Sequence, residues 1–244
     1  MTTNGLPGLP GLPESIEAAW GLRERPNRGP KRGLTLEGIV AAAITVADRD
    51  GIDALSMGRV AAELGSSAMS LYRYVAAKDE LIALMIDTAY HPAPEPIMGA
   101  WRESLTKWAW AELATLRAHP WVLRVPISGP PLMPTQLLWL ESGLCALAET
   151  RLTPSDKMSA ILLVTGYTRA TATLAADIGI KWRDLMPNYS STLRRLINPV
   201  NYPELTGILE SGIFDKADPP DDEFIFGLDR ILDGIETLVY ERAK

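Results

Sequence analysis

The stretch from Val60 to Val75, V-A-A-E-L-G-S-S-A-M-S-L-Y-R-Y-V, admits few folds. Two short helices that cross steeply through a tight turn need a small residue at the crossing, a flexible one in the turn and apolar residues where they touch. Ala61 is the small residue, Gly65 sits four positions on, and Val60, Leu64 and Leu71 form the contact. Ser56 and Ser67 stand where N-caps belong, because a serine oxygen satisfies the free amides of a first turn. The pattern predicts one helix from Ser56 to Leu64 and a second from Ser67 to about Val75. The second turns Ser67, Ser70, Tyr72, Arg73 and Tyr74 outward. A helix of this kind fits a major groove about 12 Å wide and reaches base edges. Two neighbouring core helices of an ordinary bundle would meet the same packing demands, so the pattern leaves both readings open.

The rest of the chain is also helical in period. Leu36, Ile39, Val40, Ala43, Val46 and Ala47 recur at helical spacing after an N-cap at Thr35, and Gly51 stops the run. A further helix starts near Lys78 and ends by His91-Pro92, since proline disfavours helix just before it. Helices are expected over 99–118, 134–149, 155–180 and about 222–243, with one or two turns at 14–20. Prolines 187, 199, 203, 219 and 220 make 181–220 mixed. No period-two stretch stands out, so the fold class is all-α. The first 13 residues hold three Gly-Leu-Pro units, which support neither helix nor ladder. The organisation expected is a flexible basic arm over 1–34, a three-helix helix-turn-helix unit over 35–91, and a helical domain over 92–244, joined by the stiff segment H-P-A-P-E-P.

Composition removes several function classes. The net charge is −6, yet residues 1–34 carry five bases against three acids, so any nucleic-acid contact must be a local patch. One cysteine, in the apolar run G-L-C-A-L, excludes a disulfide framework, and two histidines leave little for a zinc site. No nucleophile elbow, H-E-x-x-H, P-loop or paired-carboxylate motif is present. No enzyme activity, catalytic residue, metal or cofactor is therefore expected. No apolar run approaches membrane-spanning length, so a soluble cytoplasmic protein is the expectation.

Thr35 to Tyr90 resembles the DNA-binding domain of the TetR (tetracycline repressor-like) family. The resemblance rests on D-R-D-G-I-D-A-L-S-M, R-V-A-A-E-L-G, S-L-Y-R-Y-V and K-D-E-L at matching spacings. Trp101-Arg102, His119-Pro120, Leu140-Glu141 and F-I-F-G-L-D-R-I-L-D-G-I-E (224–236) are similar to the C-terminal domain of the tetracycline repressor branch. The resemblance implies that Ser67, Ala68, Met69, Ser70, Tyr72 and Tyr74 meet bases and adjacent phosphates, with Arg73 beside them. It implies further contacts at Ser56 and Met57 and a phosphate contact at Lys78. Gly58 stands where many relatives carry arginine, and losing that base is expected to weaken the contacts or to move the charge to Arg59. Arg23, Arg25, Arg28, Lys31 and Arg32, just before the first helix of the unit, are candidates for an adjacent minor groove.

Further roles follow from the resemblance. The family's ligand pocket lies among the helices at 99–118, 134–149 and 155–180, which nominates Leu105, Trp108, Glu112, Met133, Trp139, Leu163 and Tyr167. Where the tetracycline repressor has a magnesium-coordinating histidine, this chain has Arg124, Val125 and Pro126. The helix over 155–180, rich in small residues, and the last helix would pair with their twins through Thr168, Ala172, Leu228, Ile231, Ile235 and Leu238; packing within the chain alone is the other reading of the same residues. The expected function is a homodimeric repressor on a palindromic double-stranded operator, released by a small, largely apolar or aromatic effector. The alternative is a DNA-binding regulator governed by a protein partner instead of a ligand.

Overall fold

The computed structural model describes residues 14–22, 34–95, 99–127, 129–178, 181–215 and 221–244. Its helices are α1 (Glu14–Ala19), α2 (Leu36–Asp50), α3 (Met57–Glu63), α4 (Ala68–Leu71), α5 (Lys78–Ala89) and α6 (Trp101–Ala118). They continue with α7 (Pro134–Ala146), α8 (Pro154–Ile178), α9 (Lys181–Leu196), α10 (Pro203–Glu210) and α11 (Asp222–Ala243). No strand occurs among the described residues, and the fold is all-α as the periodicity requires.

Local chemistry sets the early helix ends. The Thr35 hydroxyl accepts the Gly38 amide at 3.0 Å and starts α2. Ser56 and Ser67 accept the Arg59 and Ser70 amides and start α3 and α4. Gly65 takes φ +59 in the turn between them, a conformation that side chains with a Cβ resist. The second helix of the pair is shorter than its spacing predicts. It makes one helical turn, and the chain then passes through Tyr72–Tyr74 in turns while Val75 still donates to the Leu71 carbonyl. Leu71 and Val75 are both fully buried, and anchoring them in the core outweighs continuing a regular helix.

The segment 181–220 differs from expectation as well. α9 runs through Pro187, at the cost of a backbone hydrogen bond. Its C-terminal half is held by Asp215, which accepts from the buried Ser190 hydroxyl at 2.9 Å and from Arg194 at 2.8 Å. Pro203 opens α10, where a missing amide hydrogen is harmless.

Two packed groups result. α2, α3, α4 and α5 enclose Ile39, Ala43, Val46, Val60, Leu71 and Leu81. α6 packs on α7 and α8, and α8 on α11. Arg102 ties α6 to α11 through Asp233 at 2.7 Å.

Candidate nucleic-acid interface and its linkage to the C-terminal helices

The α3–α4 pair puts most of its nominated residues on the surface. Met69 is 76% exposed, Tyr72 is about half exposed, and Arg73, Lys78, Ser56 and Ser67 are exposed. Ala68, Ser70 and Tyr74 are half-buried. The Ser67 and Ser70 hydroxyls lie 2.9 Å apart, so the cap and its neighbour share one polar edge. Lys78 opens α5, and the buried Glu80 carboxylate reaches back to accept the Ala76 amide at 2.6 Å, fixing that entry. Met57 opens α3. Its side chain is 7% exposed and packs inside the three-helix core, because the first turn of α3 points it inward. Arg23, Arg25, Arg28, Lys31 and Arg32 lie outside the described residues.

Arg59 is exposed, but Asp50 accepts from its guanidinium at 2.9 Å, and Asp50 and Glu63 also engage Arg49. These carboxylates mute the charge next to Gly58. Asp50→Asn is therefore expected to raise nonspecific DNA affinity a few-fold and steepen its salt dependence by up to about one unit. Fluorescence anisotropy across a salt series measures both, and weaker binding at every salt concentration contradicts the assignment of Arg59.

In the C-terminal helices, Leu105, Trp108, Glu112, Met133 and Trp139 are all buried and Tyr167 is half-buried. Leu163 is 52% exposed on the outer side of α8, one position away from the fully buried Val164. Trp139 meets Trp108 and Tyr90 edge-on at 5.8 and 5.4 Å. A second aromatic group joins Trp110, Phe224 and Tyr167 between α6, α8 and α11. The clefts described lie elsewhere. The larger, about 410 Å³, runs between Trp20 and the outer face of α7 at Leu137, Leu140 and Leu144.

Glu112 is 3% exposed, and burial pushes its carboxyl up to about 8, opposed by Arg169 and Thr165. The folded chain then holds a proton that the unfolded chain releases near 4.5. Folded protein binds more protons than unfolded between these values. The stability tied to the neutral carboxyl is complete below about pH 4.5 and declines as pH rises toward about 8. Urea unfolding at a series of pH values should show this decline in wild type, and E112Q should lack the part that belongs to Glu112. An identical profile in both contradicts the shift.

Sequence reasoning missed the residues that connect the two groups. On α5, the Asp87 carboxylate accepts from the Thr135 amide at 2.8 Å, the Thr135 hydroxyl at 3.1 Å and the Gln136 amide at 3.3 Å. It thus caps α7 from another helix. One turn on, the Trp139 indole donates to the Tyr90 carbonyl at 2.6 Å, and the Ser142 hydroxyl donates to Pro94. Residues 135, 139 and 142 share one helical face, so α7 is laced along α5 and the segment after it. A second tie joins α2 to the turn after α6. Asp48 accepts from the Trp121 indole at 2.6 Å and faces His119 Nδ1 at 2.8 Å. Asp87→Ala should cost about 2 kcal/mol, since two amides of a helix start lose a charged acceptor. Thermal unfolding checks this, and an unchanged melting temperature contradicts the cap.

The residues expected to pair with a twin all lie on α8 and α11. Thr168, Ala172, Leu228 and Ile235 are buried inside the subunit, and Ile231 and Leu238 pack partly against its core. The buried four belong to the seam between α8 and α11, and Ile231 and Leu238 are part-exposed at its margin. The outward stripe of α8 carries Leu162, Leu163, Gly166, Ala170 and Leu174, and α11 exposes Ile225 and Phe226.

Comparison with known proteins agrees with this architecture. Residues 39–85 match the family of bacterial regulatory proteins, tetR family, and residues 93–239 match the tetracyclin repressor-like C-terminal domain. The chain is 38% identical over 248 residues to the HTH-type transcriptional repressor DrrR1 of Streptomyces coeruleorubidus, covering 95% of this chain and 88% of that protein. Apo ActR from Streptomyces coelicolor superposes with a TM-score of 0.73 at 27% identity, covering 87% of this chain and 99% of ActR. ActR in complex with actinorhodin gives 0.70 at 26% identity, covering 84% and 96%. With the helix-turn-helix and the C-terminal helices each matched in order, the chain belongs to the TetR family of DNA-binding transcriptional repressors.

Proposed function

We propose that the chain is a homodimeric repressor that binds a palindromic operator and leaves it when a small, largely apolar or aromatic ligand enters among α6, α7 and α8. Residues 35–91 read DNA. Ser67, Ala68, Met69, Ser70, Tyr72, Arg73 and Tyr74 face bases and nearby phosphates, flanked by Ser56, Arg59 and Lys78. The basic residues of the 1–34 arm lie in the neighbouring minor groove. Residues 92–244 sense the ligand and pair the subunits. A single short recognition helix reads few bases, and two-fold symmetry supplies the second half-site. The outward apolar stripes of α8 and α11 suit an isologous pairing.

The observation that carries this reading is the lacing of α5 to α7 at Asp87, Tyr90 and Pro94. α5 begins beside the recognition unit and ends against the aromatic core, so a displacement of α7 reaches the DNA-reading helices. The ActR complexes support ligand entry in a related fold. A ligand shifts this equilibrium only by its preference for the displaced form, and about 5.5 kcal/mol takes it from 1:99 to 99:1. Light scattering on wild type and on Leu174→Glu, a change on the outward stripe of α8, tests the pairing. The reading expects a dimer that the glutamate splits, with loss of operator binding. A wild-type monomer that binds DNA, or a dimer untouched by this change and by Phe226→Glu, overturns it.

A further inference from the structure

We infer that Glu112 is the polar anchor of the effector site and takes a protonated amine carried on an aromatic body; this rests on the ligand-responsive reading above. Buried side-chain oxygens in native proteins are nearly always paired. Glu112 Oε2 is buried and meets no donor among the described residues. The group sits at a junction. Thr165 and Arg169 approach it from α8, and Tyr90 approaches from the end of α5. Trp108 lies one turn earlier on α6, and its indole donates to the Trp139 carbonyl at 3.0 Å. α7 turns Trp139 toward this junction, whereas its Glu141 is exposed and lines the cleft beside Trp20. Arg169, the neighbouring cation, donates to the Tyr90 hydroxyl at 3.4 Å. The junction therefore offers an unused acceptor with aromatic rings beside it, a combination suited to an ammonium on a flat apolar frame.

The exchange balances without any further reactant. The neutral Glu112 carboxyl gives its proton to solvent, and the resulting carboxylate pairs with the incoming ammonium. No covalent bond to the ligand forms. The carboxylate also draws on Arg169, which competes with the bond from Arg169 to Tyr90. Tyr90 closes the C-terminal end of α5, so occupation of Glu112 loosens the helix that leads to the recognition unit. Among the described residues, the charged and titratable groups facing Glu112 are Arg169 from α8 and Tyr90 from α5.

The test uses the full-length protein and three probes of one shape: 2-(2-naphthyl)ethylamine, 2-(2-naphthyl)ethanol and 2-ethylnaphthalene. Thermal shift and calorimetric titration are read near neutral pH for wild type, E112Q and E112M. Wild type should bind the amine at least tenfold more tightly than the hydrocarbon, with the alcohol between them. Affinity for the amine should rise with pH, by up to about tenfold per unit below about pH 8. Both variants should lose the preference for the amine and keep the same affinity for the hydrocarbon. The volume-matched E112M should melt no lower than wild type, because it removes an orphaned acceptor. Equal affinity for the three probes, no binding of any, or a preference that survives in E112M overturns the assignment. Operator binding measured without probes separates the two layers. If the operator is bound and the probes fail, Glu112 alone is misassigned; if no operator is bound, the underlying reading falls too.

Discussion

Alanine at Ser70, Tyr72 and Lys78 together is expected to lower operator affinity by about 10²–10⁴-fold, since each lost base or phosphate contact is worth about 1–3 kcal/mol and the losses overlap. The melting temperature should move by no more than a few degrees. Tyr72 is about half exposed and Lys78 is exposed. The Ser70 hydroxyl pairs with the Ser67 hydroxyl on the same polar edge. Removing Lys78 alone should weaken all sequences alike and reduce the salt slope by about one, the signature of a phosphate contact. Leu71→Ala is the contrasting control. Leu71 is fully buried, and its truncation should cost about 2–5 kcal/mol and lose DNA binding through unfolding. Anisotropy titrations paired with thermal melts distinguish the two cases. Unchanged affinity in the triple variant contradicts the assigned reading face.

Gly227→Ala is the second large effect, and it acts through the α8–α11 seam. A Cβ at this glycine would lie 2.2 Å from the Tyr167 hydroxyl and 2.4 Å from its ring carbon Cζ. Tyr167 cannot simply yield. Its hydroxyl donates to the Glu223 carbonyl at 2.7 Å, and its ring stacks on Phe224 at 5.7 Å. The methyl therefore expels the ring from the seam. Overpacking of this kind costs about 1–3 kcal/mol, and the lost hydrogen bond adds about 1 kcal/mol. At about 2–4 °C per kcal/mol for a chain of this size, melting should fall by roughly 5–15 °C. Tyr167→Ala removes the obstacle, so G227A should cost far less in a Y167A background. Full additivity of the two changes contradicts the close approach. Operator binding should weaken alongside stability in G227A, because the outward stripes of α8 and α11 are set by the seam beneath them.

The parts of this fold that were legible in the sequence are those determined locally. Thr35, Ser56 and Ser67 cap helices within three residues of themselves, and Gly51 and Gly65 end them. A window of a few residues contains all of that physics. The helix spans of α6, α8 and α11 likewise follow from apolar period. Contacts far apart in sequence were not legible. Asp87 caps a helix 48 residues away, and Asp48 meets Trp121 across 73. Nothing near either aspartate marks it as a tie. The faces of α8 were ambiguous for another reason. Apolar and small residues occur on both sides of this helix, so the inward Thr168 and Ala172 and the outward Leu163 and Leu174 read alike. Periodicity separates polar from apolar faces, but it does not tell a subunit's own core from a surface meant for a second copy. At Met57 the family position describes where a backbone sits, and the side chain here turns into the core.

The most direct test of the account is selection from a random pool of double-stranded DNA by the purified full-length protein, with the mass of the selected complex read by light scattering. The account predicts an enriched palindrome whose half-sites lie about one helical turn apart or a multiple of it, bound by an even number of chains. Enrichment of a single, non-repeated site by one chain, or no enrichment by a folded protein, would contradict it.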